Sequence, residues 1–262
     1  MTLRVLTYLA PSIPLGLFEL VVERLRRVLG VRATLRAEAR HSGPPPDIPD
    51  PFSADEADLA FLCSPSFAWL SGMRPSPIEL VPAAPVFLEP RTAGRPVYFS
   101  DVIVHPGVAS ASFEERNLLA RLRALGEDRH FLRTARRSGS HLRSVELTAR
   151  GEVDGAAVDS NVLALLRCRD PLLCERVRVV ASWGPYAVQP IVVRGGTAIA
   201  RILLAMGREP AVRAALAAFG VGGFAPTSRA AYEADLAALG SDLHLAELPV
   251  AEGLVQQCSS AS

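Results

Sequence analysis

The sequence contains no lysine, and all 28 of its basic residues are arginine. This excludes chemistry that depends on a lysine amine, including a Schiff base with a carbonyl substrate and the lysine of a phosphate-binding P-loop. Arginine instead offers planar guanidinium groups that stay charged and bind oxyanions. Because 27 acidic residues leave a formal net charge of +1, no overall field would attract nucleic acid or an anionic membrane. We therefore expect no nucleic-acid partner, and any bound anion must be held locally.

The sequence also lacks the common motifs of cofactor binding and catalysis. Neither G-x-G-x-x-G nor G-x-x-x-x-G-K-[ST] occurs, no serine lies in a G-x-S-x-G elbow, and the histidines show no H-E-x-x-H spacing. The four cysteines form no C-x-x-C pair. We predict no cofactor, no metal site and no catalytic residue. Cys168 and Cys174 could pair in an oxidising compartment, or they could be free thiols in a reducing one.

Long apolar runs are absent too. No stretch approaches the roughly 20 apolar residues that a membrane-spanning helix needs. Met1 leads directly into residues 3–6, which look like a strand, with no basic segment, apolar core or small-residue cleavage site before them. From these features we expect a soluble chain without a transmembrane segment, cytoplasmic as the sequence stands.

Strand-like and helix-like segments alternate along the chain. Residues 3–8 predict a strand, residues 15–29 a helix that ends at Gly30, and residues 31–35 a second strand parallel to the first. Further strands are predicted at 57–62, 96–104, 153–158, 177–181 and 191–193, and further helices at 113–125, 142–149, 161–166, 198–206, 211–219 and 229–239. This alternation indicates an α/β fold.

Polar residues follow several of these strands. In open α/β sheets, ligands bind beyond the carboxyl ends of strands, where helix N-termini offer unpaired N–H groups to an anion. By this rule we expect ligand-binding residues at strand ends, namely Tyr8, Ser64, Pro65, Ser100, Asp159 and Ser160. Ser138, Ser140 and His141 also precede a predicted helix and are further candidates for holding an oxyanion. Each of these residues could alternatively cap a helix or form a turn.

The segment 151–160, with the sequence GEVDGAAVDS, resembles the phosphate/phosphonate-binding (PhnD-like) family of ABC-importer solute receptors. Four other segments are similar to the family's first-lobe strand and ligand loop, its crossover strand, its returning strand and its C-terminal turn: residues 57–65, 98–104, 190–194 and 220–226. The resemblance implies a two-lobe periplasmic-binding-protein-like fold with mixed sheets. Lobe I would comprise residues 1–95 plus 182–262, and lobe II residues 96–181.

The resemblance also implies a function. It puts Tyr8, Ser64, Ser100 and Asp159 at a cleft between the lobes, with Asp159 facing an amine or hydroxyl of the ligand. It implies a solute-binding protein for a small anionic ligand, such as a phosphonate, phosphate or a carboxylated metabolite, working with an ABC-transporter permease. Such receptors usually act in the periplasm or anchored outside the cell, which differs from the cytoplasmic location that the sequence start predicts.

One segment departs from the family pattern. After the crossover strand the family has a further strand and a serine–glycine loop that grips the anion, whereas Val104 here is followed by a short turn and then by the helix-like residues 113–125. We therefore expect a shortened second lobe and weakened or lost binding. Two alternatives remain: a lyase resembling the chorismate-dehydratase branch, which needs a general base in the cleft, and a non-binding interaction module with a collapsed cleft.

Overall fold

The computed structural model describes residues 2–38, 49–107, 138–195 and 198–239. The strands in these residues are β1 Thr2–Thr7, β2 Arg32–Ala37, β3 Leu59–Phe61, β4 Glu79–Leu80, β5 Ala83–Phe87, β6 Val97–Val104, β7 Gly155–Asp159, β8 Arg178–Ala187, β9 Ile191–Val193 and β10 Val221–Pro226. The α-helices are α1 Leu15–Leu29, α2 Ser64–Gly72, α3 His141–Ala149, α4 Ser160–Arg169, α5 Pro171–Glu175, α6 Ala198–Met206, α7 Pro210–Ala217 and α8 Arg229–Leu239, and a 3-10 turn covers Pro90–Thr92.

Five strands form a mixed sheet in the order β2-β1-β3-β9-β4. The strand β1 is parallel to both β2 and β3, as the predicted βαβ unit requires, while β9 runs antiparallel to β3 and β4. The helix α1 connects β1 to β2 and ends at Gly30, whose φ of 65° is the left-handed conformation that glycine adopts without strain. A separate antiparallel pair joins β10 to β5.

Helices pack on both faces of the five-stranded sheet, because successive apolar side chains of its buried strands point to opposite faces. In β1, Val5 belongs to the core on the α1 side, and Leu6 belongs to the core on the α2 and α8 side. Phe18 of α1 packs edge-to-face on Phe61 with ring centroids 4.8 Å apart. On the other face, Phe67 of α2 packs on Tyr232 of α8 at 5.2 Å. The first α/β unit is therefore a three-layer sandwich.

The second unit is built on a three-stranded antiparallel sheet in the order β7-β6-β8. The strands β6 and β8 pair along their whole length, from Val97 opposite Ala187 to Val104 opposite Arg178. They also carry the chain between the two units, since the N–H of Val188 still bonds to the carbonyl of Pro96 at 3.1 Å where the first unit begins. The pairing has register shifts, one of which lies between Tyr98 and Ser100.

Most predicted elements match the structure, with three corrections. The segment 220–226, expected to be a C-terminal turn, contains the strand β10, because residues 221–226 pair with β5. The strand predicted at 177–181 extends to Ala187, because β8 continues along β6 beyond the apolar run. The strand predicted at 153–158 is β7, which begins later and ends at Asp159. The predicted helix at 113–125, and with it most of the segment that departs from the family pattern, lies outside the described residues.

Candidate functional site

Asp159 lies where β7 ends and α4 begins, at the junction of the two units. In the sheet it is the register partner of Ser100, so the two residues share one face. Ser100 was expected beyond the end of a strand, but it lies within β6. The expected helix-capping role of Asp159 is also wrong, because its side chain makes no capping hydrogen bond to α4. The Asp159 carboxylate instead interacts with His141 and Gln189.

One partner of this carboxylate is His141, the first residue of α3. His141 Nε2 lies 3.3 Å from Asp159 Oδ2. Burial lowers the pKa of His141, but the negative charge of Asp159, the hydrogen bond to it and a contact with the Ala157 backbone outweigh burial and hold the pKa above its usual 6.5. The pair therefore combines a carboxylate with an imidazole whose protonated form is favoured relative to that of a free histidine.

A second partner is Gln189, in the turn between β8 and β9. Its Nε2 donates a hydrogen bond to Asp159 Oδ2, and its Oε1 accepts one from Asn161 Nδ2 at 3.2 Å. Both amides are buried, with Gln189 8% exposed and Asn161 1% exposed. Gln189 thus connects the turn leading back to the first unit with two residues at the start of α4.

The start of α2 lies near the same group, because the N–H of Leu62 just before it bonds at 3.1 Å to the carbonyl of Pro190, which follows Gln189. Cys63 precedes α2, and its thiol has a raised pKa, mainly through burial and in part through the charge of Asp159. The Cys63 Sγ lies 3.2 Å from Ser66 Oγ. Asp159 also contributes, after burial, to a Tyr98 pKa well above 10. The helix starts of α2, α3 and α4 therefore converge on Asp159.

These groups lie at a partly exposed junction of the two units, which we interpret as a crevice. His141 is surrounded by protein on most sides, yet 41% of its side-chain surface stays accessible to solvent. Tyr98 is likewise densely surrounded and still partly exposed. The two units also touch across this side, where the N–H of Leu142 in α3 donates to Ser12 Oγ at 3.3 Å, ahead of α1. A crevice between two units, lined by polar groups and helix starts, has the character of a small-molecule site.

The remaining predicted residues fall into two groups. Ser138 and Ser140 bond within the start of α3: Ser140 Oγ accepts from the Arg143 N–H at 3.1 Å, and Ser138 Oγ bonds to Ser144 Oγ at 2.7 Å. Ser160 is fully buried and accepts a hydrogen bond from the Phe99 N–H at 3.0 Å. These hydroxyls are engaged inside the fold, and their contact with a ligand stays a prediction.

Tyr8 and Ser64 occupy different surroundings. Tyr8 follows β1 as predicted, but its ring is only 4% exposed and belongs to the core on the α2 side. Burial raises its pKa to about 12, the charges of Glu38, Glu56 and Asp50 add to this rise and that of Arg36 opposes it, and none of these four residues belongs to the Asp159 group. Ser64 is the first residue of α2 and is partly exposed, and its contact with a ligand stays a prediction. Pro65 is the second residue of that helix.

Sequence reasoning missed four residues of this group: Ser12, Tyr98, Gln189 and Asn161. The rule that polar residues beyond strand ends line a site would have found Gln189, because it comes two residues after β8. Tyr98 lies early in a strand, where that rule gives no signal. A neighbouring groove of about 510 Å³, lined in part by Pro96, Pro185 and Asp235, includes none of the predicted site residues.

Two further expectations concern the state of the cysteines and the presence of a membrane-spanning helix. Cys168 and Cys174 are free thiols in the structure. Among the described helices, none has the length and apolar character that crossing a membrane requires.

Two α/β units joined by paired strands, with helix N-termini around a crevice between them, define a solute-binding protein of the periplasmic-binding class. Residues 100–232, about half of the 262-residue chain, match the family described as "ABC transporter, phosphonate, periplasmic substrate-binding protein". The chain belongs to this family of solute-binding proteins. The predicted α/β two-lobe fold and the predicted class of protein are thereby confirmed.

Solved structures support the fold. The phosphonate-binding protein PhnD1 of Prochlorococcus marinus, solved with methylphosphonate, is 15% identical with a TM-score of 0.71, over 93% of this chain and 98% of that one. A binding-protein component of a Pseudomonas aeruginosa phosphonate transporter is 12% identical with a TM-score of 0.61, over 93% and 95%. The Escherichia coli aliphatic sulphonate-binding protein SsuA is 14% identical with a TM-score of 0.54, over 95% and 94%. No curated protein sequence matches the chain.

Proposed function

We propose that this protein binds a small tetrahedral oxyanion of the phosphonate class in the crevice at Asp159 and delivers it to an ABC-transporter permease. The observation that carries the proposal is the convergence of three helix N-termini on one crevice between the lobes. Each helix start presents the positive end of a dipole, and its first N–H groups have no partner within the helix, which favours a bound anion.

One of these helix starts, that of α4, is suited to an exogenous anion. The Asp159 side chain makes no capping hydrogen bond to α4, where Asn161 Oδ1 accepts from the Val162 N–H at 3.0 Å, whereas Ser140 caps α3. An oxyanion oxygen can therefore take the position that a capping side chain usually fills. The partly exposed hydroxyl of Ser100, the register partner of Asp159, lies on the same face and can add a hydrogen bond, and we propose that the partly exposed hydroxyl of Ser64 adds another.

The carboxylate of Asp159 refines the ligand class. A bare oxyanion next to it would be repelled, except where protonated His141 compensates the charge. A ligand that combines an oxyanion with an ammonium or hydroxyl group would instead donate to the carboxylate. We therefore favour an amine- or hydroxyl-bearing phosphonate over a simple alkyl phosphonate.

A thermal-shift comparison tests this proposal. A ligand that binds only the folded protein adds about 2.7 kcal/mol at 100 times its Kd, which raises the Tm of a protein of this size by several degrees. We expect such a rise with methylphosphonate and a larger one with 2-aminoethylphosphonate, and little change with sodium chloride at the same ionic strength. If neither phosphonate raises the Tm, phosphonate binding is refuted.

The variant Asp159→Asn tests whether Asp159 contacts the ammonium group of the ligand rather than its phosphonate group. Losing a charge-assisted bond to the ammonium group should weaken 2-aminoethylphosphonate binding by about ten- to a hundredfold. Methylphosphonate, which has no ammonium group, should bind the variant at least as tightly as the wild type. Equal weakening for both ligands would contradict a contact between Asp159 and the amine.

A second candidate function rests on the His141–Asp159 pair. A carboxylate and an imidazole 3.3 Å apart in a crevice could serve as general base and acid for an elimination. Release of an unsaturated product from a carboxylated substrate, followed by ultraviolet absorbance, would support a lyase. Binding that leaves the ligand unchanged would support the receptor.

The proposed compartment follows the family description, which is periplasmic. A permease partner requires the receptor to meet a membrane protein on the outer side of the inner membrane. Fractionation of cells that express the protein from its native gene would test this, because a protein found only in the cytosolic fraction could not serve such a permease.

A further inference from the structure

A partly buried ionic cluster lies next to the junction of the two lobes, with an exposed arginine, Arg91, bound to buried carboxylates. Arg91, in the 3-10 turn after β5, bonds to both carboxylate oxygens of Asp101 in β6, with Nη1–Oδ1 at 2.9 Å and Nη2–Oδ2 at 2.8 Å. Its Nε also bonds to Glu89 Oε1 at 2.7 Å. The Ser182 hydroxyl of β8 donates to Asp101 at 2.6 Å and accepts from Arg91 at 3.0 Å. The two carboxylates are almost completely buried, at 0% and 5% exposure.

The cluster crosses the proposed lobe boundary between residues 95 and 96. Glu89 and Arg91 precede the boundary, and Asp101 follows it. Between them lies the register shift at Tyr98 and Ser100, where β6 and β8 depart from regular pairing. Arg91 also covers the Phe99 ring, with its guanidinium carbon 4.9 Å from the ring centroid. The Arg91 side chain thus spans the irregular part of the connecting strands and binds Asp101 beyond it.

The cluster lies on the opposite face of the sheet from the candidate site. Ser100 and Asp159 are register partners and share one face, and side chains alternate along a strand, so Asp101 belongs to the other face. The register partner of Asp101 in β7 is Val158, a core residue. The ionic cluster is therefore not part of the crevice.

We propose that the Arg91–Asp101 pair is a latch that holds the two lobes in the arrangement described, independently of ligand. In this arrangement the lobes also touch on the crevice side, through Ser12 and Leu142. Loosening the latch lets the lobes swing apart about β6 and β8. This inference rests on the proposed two-lobe division, and it identifies Arg91, Asp101 and Ser182 as positioning residues outside the binding site.

The two carboxylates provide a matched pair of variants. Asp101 binds the guanidinium with both oxygens, so Asp101→Asn places an amide NH2 against an arginine N–H and disrupts the pair. Glu89 uses only Oε1, while its buried Oε2 has no hydrogen-bond partner in the described residues. Glu89→Gln can therefore keep its bond to Arg91. Both variants remove one buried negative charge, but only Asp101→Asn breaks a bond across the boundary.

Distances between spin labels measure the arrangement of the lobes directly. Labels attached to a ketone-bearing unnatural amino acid at Val28 and Leu172 report on lobes I and II, because these side chains are 50% and 71% exposed. In ligand-free protein we expect a longer mean distance and a broader distribution for Asp101→Asn, a smaller change for Ser182→Ala, and the wild-type distribution for Glu89→Gln.

Circular dichroism first establishes that each variant is folded. If Asp101→Asn does not fold, Ser182→Ala compared with Glu89→Gln decides the question. Wild-type distances in the folded Asp101 and Ser182 variants would overturn the latch, as would an equal change in Glu89→Gln. Because no ligand is present, these outcomes are independent of phosphonate binding, which the thermal-shift comparison tests separately.

Discussion

Replacing Gln189 with leucine tests whether the amide between β8 and β9 fixes the centre of the site. The substitution keeps a similar volume but removes both hydrogen bonds, one to the Asp159 carboxylate and one from the Asn161 amide. Gln189 is 8% exposed, so water can replace these bonds only in part. The variant should leave the Asp159 carboxylate with His141 but without Gln189, and should leave the buried Asn161 amide without its Gln189 acceptor.

The magnitude follows from the two bonds. A hydrogen bond to a charged group contributes about 1.5–3 kcal/mol to stability, and a bond between neutral groups contributes about 0.5–1.5 kcal/mol. The Gln189→Leu variant should therefore lose about 2–4.5 kcal/mol of unfolding free energy. For a protein of this size each kcal/mol lowers the Tm by about 2–4 °C, so the loss should be plain in a melting curve.

Urea unfolding followed by circular dichroism measures the loss. The matched variants are Asn161→Leu and the double variant, which together form a thermodynamic cycle. Since the two amides share one bond, the cycle should give a coupling of at least about 0.5 kcal/mol. A loss below about 0.5 kcal/mol for Gln189→Leu, or strictly additive effects in the cycle, would refute the connecting role of Gln189.

Two further predictions concern pH and packing. Asp159 raises the pKa of His141 in the folded state, so the pair stabilises the protein fully below pH 6.5, and this stabilisation is lost as the pH rises through the folded pKa. The variant Asp159→Asn should therefore reduce the Tm more at pH 5.5 than at pH 8.5. An equal reduction at both pH values would contradict the pairing. Gly220→Ala should destabilise more than Gly94→Ala: both glycines have positive φ, 68° and 74°, but only at Gly220 would the new Cβ meet another side chain, Leu165 Cδ2 at 2.7 Å. Equal Tm losses for the two glycine variants would show that Leu165 moves aside at no cost.

Local patterns in the sequence predicted a large part of the fold. The helix Leu15–Leu29 is amphipathic and ends at a glycine, and the strand before it is short and apolar, so the βαβ unit follows from local signals. The full length of β8 did not follow, because residues 182–187 are extended by pairing with β6 rather than by their own periodicity. Pairing between distant strands is a tertiary effect that one segment does not encode.

The site was predictable only in part. Asp159 and His141 each lie at the start of a helix, which a strand-to-helix pattern reveals, and the structure brings them together. Ser160 shows the limit of that rule, since its hydroxyl turns inward to the Phe99 N–H. The bond between Gln189 and Asp159 joins residues 30 apart in sequence, and it depends on how the turn after β8 meets α4.

Isothermal titration of the wild-type protein with 2-aminoethylphosphonate tests most directly whether the crevice at Asp159 is a phosphonate-binding site. We predict saturable binding of one ligand per chain, competition by methylphosphonate, and loss of most of the affinity in Asp159→Asn. A folded protein that gives no saturable heat with either phosphonate would contradict this function.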